Sequence, residues 1–287
     1  MSAGLRSLAV ALFLGSVSIA TAAAQESPAA QPPAAEKNPA AGAATAGAQP
    51  IEITAEGGIE WDRNAKTYTA RGAAQARRGE LSVFADTLVA HYRESAAGGS
   101  EIYQLEATGN VRLASQTAVA TGDRAVYDVT ERMMTMTGQD LKLETGEDVL
   151  TARNRLEYSD RTRQASAHGA VAVVSADRRL DADHVVADLA PGADGELALT
   201  KVEATGDVRI ATPREFIRAD RGTYDVEKQF AILTGAVKVT QDQNQLNGEY
   251  AEVDLKSGVS RLLGAPPGGE GKVKGLVLPG SVPEPGG

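Results

Sequence analysis

The sequence predicts an all-β protein, an elongated and quasi-repetitive sandwich of antiparallel strands. Apolar residues recur at every second position, as in Val111 and Leu113 on either side of Arg112, which is the alternation of a half-buried strand. Clusters of turn-forming residues separate these segments, for example residues 62–66 and 225–229. The pattern also repeats at an offset of 97 residues. Within the repeat, a pair of short segments recurs about six times, and one such pair cannot bury its apolar face alone, so neighbouring pairs are expected to stack along one axis.

The internal repeat is close enough to be read directly from the chain. Residues 98–138 placed on residues 195–235 match at 15 of 41 positions. Residue types that return in both copies are more often architectural than catalytic. The duplication therefore predicts one continuous body with a lengthened apolar face, and it does not predict two active sites.

The N-terminal residues predict export. Residues 1–24 contain an early Arg6, an apolar stretch at residues 8–19 and small residues up to Ala24, which is the pattern of a cleavable signal peptide. An uncleaved membrane anchor is the alternative, although the apolar stretch is short for a membrane span. Residues 25–50 form an Ala/Pro-rich linker.

The folded body is expected at residues 51–263, followed by a disordered Gly/Pro-rich tail at residues 264–287. The chain contains no cysteine, so its stability must come from sheet packing without disulfides. We expect roughly thirteen or fourteen strands and no helix after the N-terminal segment.

A finer period lies within each copy. Each alternating segment begins with a glycine, and an acidic residue follows most of these glycines fourteen positions later. We interpret both as marks of strand starts. The glycines are Gly72, Gly109, Gly138, Gly169, Gly206 and Gly235, and the acids are Asp86, Asp123, Asp183, Asp220 and Glu249.

Charge and motif content exclude several classes of function. With 29 basic and 38 acidic residues the formal net charge is −9, and no basic stripe predicts nucleic-acid binding. The histidines His91, His168 and His184 stand singly in the sequence. Asp181 with His184 suggests metal ligands at first, but its Ala-Asp core recurs elsewhere as part of the repeat. We therefore expect no metal and no cofactor.

The paired acids Asp123 and Asp128 could be compared with the two carboxylates of a sugar hydrolase. They return as Asp220 and Asp225, which favours turn and edge roles. The arginine pairs at residues 77–78 and 178–179 are expected to be solvated, with contact to an anionic head group as the alternative. No catalytic residue is predicted.

The apolar face is the candidate binding site. Small residues alternate there with branched aliphatic ones, which either leaves a long apolar groove between the sheets or packs them closely together. Acyl chains buried in such a groove would gain about 0.8 kcal/mol per CH₂. The predicted lining residues are Val111, Leu113, Tyr127, Leu141, Leu143, Leu156, Tyr158, Val171, Val173, Val185, Val208, Ile210, Tyr224, Val237 and Val239.

The repeated segments also resemble a known family. An Ala-x-Gly-x-Val-x-Val strand followed by Ala-Asp-x-x-x-Tyr-Asp, best seen at residues 203–210, 219–226 and 233–239, is similar to the OstA-like (LptA) family of lipopolysaccharide export proteins. The resemblance covers nearly all of residues 51–263. It implies a twisted antiparallel β-jellyroll, V-shaped and open along its length, that binds the acyl chains of lipid A inside the V.

The resemblance further implies a periplasmic protein that forms part of a bridge for lipopolysaccharide. Its partners would be jellyroll proteins of the inner and outer membranes, joined by end-to-end strand addition, or further copies of the same chain. The half units at residues 51–62 and 246–263 are the expected joining edges. Two alternatives remain, a membrane-anchored LptC-like assembly factor and a β-helical carbohydrate-active enzyme.

Overall fold

The computed structural model describes residues 51–95, 99–192 and 197–276. Every regular element in these ranges is a β-strand, which confirms the all-β fold class. Within the same ranges no helix is long and apolar enough to cross a membrane. The predicted signal peptide, the linker and residues 277–287 of the tail lie outside the described residues.

Eighteen strands are present in the described part of the chain, more than the sequence predicted. They are β1 (Glu52–Thr54), β2 (Ile59–Asp62), β3 (Thr67–Arg78), β4 (Leu81–Glu94), β5 (Ser100–Ala114), β6 (Ala118–Asp128), β7 (Met133–Thr137), β8 (Leu141–Thr145), β9 (Asp148–Ala152), β10 (Arg155–Ser159), β11 (Gln164–Ser175), β12 (Arg178–Pro191), β13 (Leu197–Ala211), β14 (Phe216–Asp225), β15 (Phe230–Gln241), β16 (Asn244–Asp254), β17 (Val259–Leu263) and β18 (Lys274–Leu276).

All of these strands belong to one antiparallel sheet. The long strands pair with their neighbours in chain order along their whole length. The short strands occur in pairs that together replace one long strand: β1 and β2 on β3, β7 and β8 on β6, β9 and β10 on β11, and β17 and β18 on β16. Between them, β7 pairs with β10 and β8 with β9.

The sheet is creased along a line that crosses every long strand near its middle. The pairing of β13 with β14 shifts between Thr205 and Val208, and the other long pairs shift at the same level. Each shift is a β-bulge, which bends the strand and increases its twist. The gaps between the paired short strands fall on the same line.

We call the two halves of the sheet the first arm and the second arm. The first arm contains β1, β8, β9 and β18, and the second arm contains β2, β7, β10 and β17. Each long strand contributes one half to each arm. The apolar faces of the two arms turn toward each other, since one buried cluster includes Leu143 and Val173 of the first arm with Leu156 and Val185 of the second.

The crease is built from the recurring glycines and acids. Gly206 has φ +78°, and a Cβ at this position would collide with the carboxylate of Asp183 on the neighbouring strand. Gly235 meets Asp220 in the same way, and Gly109 meets Asp86. Because only glycine adopts this conformation freely and leaves room for the carboxylate, the repeat motif encodes the crease.

The predicted positions of most of these residues were therefore wrong. Gly138 lies between β7 and β8 and precedes a strand as predicted, but the other glycines and the acids lie in the middle of long strands and do not mark strand starts. Glycine in an alternating pattern indicates either a strand end or a bulge, and here it forms bulges.

The C-terminal tail differs from the prediction. Residues 264–287 were expected to be disordered, but Lys274–Leu276 forms β18 beside the N-terminal half of β16. That half of β16 extends past β17 and leaves backbone groups available for pairing.

A glycine-to-alanine pair tests the crease contact. Gly206→Ala combines backbone strain with a collision, whereas Gly258→Ala (φ +71°) meets nothing within 4 Å. We expect G258A to lower the free energy of unfolding by about 1 kcal/mol and G206A by about 3 kcal/mol. Chemical denaturation of both variants measures this difference, and equal losses would contradict the role of the Asp183 contact.

Candidate functional site

A continuous apolar seam lies between the two arms. Its most buried side chains follow the crease on the first arm, where Val111, Leu141, Val171, Val208 and Val237 are each 1% exposed. The four valines each come two residues after a crease glycine, and the bulge directs their side chains into the seam. Close packing of this kind is typical of a protein interior.

All fifteen predicted lining residues lie on the inner faces. Eleven are buried. Four, namely Tyr127, Ile210, Tyr224 and Val239, are half-buried. The period-two alternation therefore located the seam, while the binding role of these residues stays a prediction. The sequence reasoning did not name further seam residues that show the same alternation, among them Met136, Leu180, Leu199, Val202 and Leu233.

The middle of the seam is nearly filled. A cavity of about 40 Å³ lies between the arms, lined by Leu150 and Leu180 of the first arm and by Leu156 and Ala187 of the second. This space holds a few water molecules at most and is too small for an acyl chain. In this conformation the arms are thus closed on each other, as in the close-packed alternative raised by the sequence.

The seam is open at its two ends. At the N-terminal end Ile59 and Trp61 of β2 are 55% and 51% exposed, although both face inward in register with Ala70 and Tyr68. At the C-terminal end Leu246 of β16 is 37% exposed. Apolar inner surface is consequently uncovered where the sheet has unpaired edges.

Tyrosines mark one line along the seam on the second arm. Tyr127 and Tyr158 both pair with Met134, which places them on one cross-strand row. The same row runs from Tyr158 through β11, β12 and β13 to Tyr224. Burial raises the pKa of Tyr158 to about 12 and also raises the pKa of Tyr127 and of Tyr224.

A larger cleft of about 670 Å³ lies outside the seam, on the outer face of the first arm beside the crease. It is lined by four acids and four bases, and two pairs of them are in direct contact. Arg179 contacts Asp181 at 2.6 Å, and Arg209 contacts Asp207. The cleft is shallow and self-neutralised, so the seam is the better candidate for a binding site.

Two of the three histidines, His168 and His184, form a stack on the outer face of the second arm, whereas His91 lies beside the ring of Tyr103. The rings of His168 and His184 are 4.1 Å apart, and His168 Nε2 lies 3.3 Å from Glu157 Oε2. Burial, and then the neighbouring His168, lowers the pKa of His184. Asp181 lies across the crease and pairs with Arg179. Across the described ranges no group of three His, Asp or Glu side chains is arranged to hold a metal ion.

The paired acids have structural positions. Asp123 packs against Gly138 at the crease. Asp128 accepts a hydrogen bond from the Glu131 backbone N–H at 2.8 Å, and Asp225 accepts one from the Lys228 backbone N–H at 2.9 Å. These contacts give the acids roles in the crease and the turns.

The fold and the seam together define a class, the two-armed β-jellyroll with a lengthwise apolar interior. The chain belongs to the family described as "LptA/(LptD N-terminal domain) LPS transport protein", whose sequence model matches residues 52–154 and again residues 152–259. The two matches correspond to the two halves of the internal repeat and meet at the gap between β9 and β10.

Further comparisons add little to this assignment. Among solved structures the chain is similar to LptH, described as the LptA homologous periplasmic component of the lipopolysaccharide transport device from Pseudomonas aeruginosa. The identity is 13%, the match covers 80% of this chain and 96% of that chain, and the TM-score is 0.21, which is too low to support an argument. No curated protein sequence matches.

Protonation of His184 should weaken the fold. Its pKa is lowered on folding, so between the ordinary value of 6.5 and the folded value the unfolded chain binds more protons. Stability should therefore fall as the pH drops below about 6.5. Urea denaturation between pH 8 and pH 5 should show a smaller pH dependence for His184→Gln than for the unmodified protein. Identical dependence in the two proteins would contradict this account.

Proposed function

We propose that this protein is a periplasmic lipopolysaccharide-binding protein, part of a bridge that carries lipopolysaccharide from the inner to the outer membrane. The acyl chains of the lipopolysaccharide would be sheltered between the two arms. The observation that carries the proposal is the continuous apolar seam, lined from both arms along the length of the sheet, in a chain of a lipopolysaccharide transport family.

Acyl chains enter this seam only if the arms separate. The closed seam has room for a few waters, so each chain must replace contacts between the arms. This exchange leaves little apolar surface in water, because the chain covers the same valines and leucines that the opposite arm had covered. The gain of about 0.8 kcal/mol per CH₂ then offsets the cost of opening.

The crease supplies the place to bend. Its glycines lack side chains, and the adjoining strands are split into β7 with β8 and into β9 with β10. The gap between β9 and β10 is crossed by two backbone hydrogen bonds, which the N–H groups of Arg153 and Asn154 donate to Gly169 and His168. The arms can change their mutual angle there without breaking the pairing within either arm.

The length of the seam follows from the strand count. The second arm stacks fourteen strands from β2 to β17, and neighbouring strands lie about 4.8 Å apart. One chain therefore supplies a seam about 60 Å long. The double match to the family model supports a chain that provides two fused units of the bridge.

The two ends of the sheet suit end-to-end joining to like-folded partners, or to further copies of the chain. Among the described residues β1 and β2 pair only with β3, and β17 and β18 only with β16. Residues 51–62 contain four acids and no base, whereas residues 255–276 contain four bases and one acid. Opposite charge favours contact between unlike ends.

Sequencing the N-terminus of the exported protein tests the localisation. A start at Gln25 agrees with cleavage of residues 1–24 and release into the periplasm. Retention of residues 1–24 would support the membrane-anchored alternative.

Photo-crosslinking tests the seam as the lipid site. A photoreactive residue at Ile210, which faces the seam, should form adducts with lipopolysaccharide, and one at its neighbour Arg209, which faces outward, should not. Val111 and Arg112 form a second matched pair. Adducts from the outward positions alone would contradict the assignment. Mass spectrometry of the purified adducts provides the measurement.

Charge reversal tests the end-to-end contact. Glu52→Lys with Glu56→Lys should weaken self-association at low ionic strength by about fivefold or more, and Lys256→Glu with Lys274→Glu should do the same. A mixture of the two variants should associate again, because each then offers an end complementary to the other. Light scattering measures the assembly size, and failure of the mixture to recover would contradict the polarity.

A further inference from the structure

Two hydroxyl groups in the seam lack hydrogen-bond partners. Tyr158 is 2% exposed, and neither its hydroxyl nor the buried hydroxyl of Tyr224 has a partner among the described residues. Burying an unpaired hydroxyl is unfavourable, and phenylalanine would fill the same volume without that cost. Buried polar groups are nearly always paired, so these two call for a physical explanation.

Both hydroxyls belong to one line. Tyr158 and Tyr224 occupy the same cross-strand row of the second arm, four strand spacings or about 19 Å apart. Residues between them on the row are Ala165, Ala187 and Val202, which offer no polar side-chain group. The row lies next to the turns at residues 159–163 and 225–229, which form tips of the second arm. We call the opening between the tips of the two arms the mouth of the seam.

Charged groups from the arm tips act electrostatically on each tyrosine. Arg132, Arg163 and Asp160 act on Tyr158, and Arg178 and Asp225 act on Tyr224. Arg178 comes from the tip of the first arm, and its charge partly offsets the rise that burial causes in the pKa of Tyr224, so the two arms meet close to this tyrosine. The acids are already engaged, Asp160 by Arg132 and Asp225 by Lys228. Each hydroxyl thus lies between an apolar interior and a rim that contains arginine.

We propose that the hydroxyls of Tyr158 and Tyr224 donate hydrogen bonds to oxygen atoms at the junction between the acyl chains and the polar head of a lipid bound in the seam. These acceptors are the carbonyl oxygens of the acyl linkages or the oxygens of a head-group phosphate. This assignment rests on the proposed function. It adds two hydrogen-bonding positions that hold the junction at a fixed depth below the mouth. When the arms close without lipid, the donors lose their acceptors.

Tyrosine-to-phenylalanine variants of the full exported chain separate this role from a structural one. Tyr158→Phe and Tyr224→Phe should each weaken lipopolysaccharide binding about three- to tenfold if the lost hydrogen bond goes to a carbonyl, and by more than about tenfold if it goes to a phosphate. The melting temperature without lipid should stay the same or rise, because an unpaired buried hydroxyl is removed. The matched control is Tyr250→Phe, whose hydroxyl contacts Glu252 at 3.4 Å on the outer face, and its affinity should not change.

The outcomes distinguish the two proposals. Binding by the unmodified protein with equal affinity in Y158F and Y224F overturns the hydrogen-bonding role and leaves the proposed function intact. A fall in melting temperature of several degrees shows that the hydroxyls serve the fold and also overturns it. No binding by the unmodified protein overturns both proposals.

Dephosphorylated lipopolysaccharide identifies the acceptor. If each phenylalanine variant binds this probe more weakly than the unmodified protein does, by the same factor as for intact lipopolysaccharide, the acceptors are acyl-linkage carbonyls. If the variants and the unmodified protein bind this probe with equal affinity, the acceptor is a phosphate. Either result supports donation by the two hydroxyls to the lipid junction.

Discussion

The contact between a crease glycine and the carboxylate of the next strand is the constraint on which the rest of this structure depends. Gly206 with Asp183 and Gly235 with Asp220 illustrate it: the glycine adopts positive φ, and the acid occupies the space where a side chain would stand. Repeated at one level of the sheet, the contact divides a single antiparallel sheet into two arms. The bulge also aims the following valine, such as Val208, into the space between them. Without the crease the alternating strands would form one flat sheet with an uncovered apolar face.

Closure of the arms gives the chain its core and also limits its function. The chain has no cysteine, so packing across the seam must supply the stability that crosslinks would otherwise give. In the middle of the seam the same packing leaves a cavity of about 40 Å³. A lipid bound as proposed would therefore compete with the opposite arm for the same side chains. Such competition would allow binding and release without a large change in exposed apolar area, as the proposed transfer of lipid requires.

Much of the fold could be predicted from the sequence because β-structure repeats every two residues. The alternation around Val111 and Val208 identified the strands and the face that is buried, and the 97-residue repeat indicated one elongated body. The crease could not be predicted. Gly109 and Asp86 are 23 residues apart, whereas Gly138 and Asp123 are 15 apart, so no constant spacing reveals that they touch. Nor could the closure of the seam or the unpaired hydroxyl of Tyr158 be predicted, because both depend on how two distant strands meet.

Separation of the arms on lipid binding is the central claim, and a distance between the arm tips tests it most directly. Spin labels on cysteines introduced at Asp177 (first arm) and Glu227 (second arm) report this distance in a chain that has no other cysteine. A control pair at Asp177 and Arg214 reports on the first arm alone. Lipopolysaccharide should lengthen the first distance by about 4 Å, the thickness of one layer of acyl chains in van der Waals contact, and leave the second unchanged. Saturating lipid binding with no change in either distance would contradict the account.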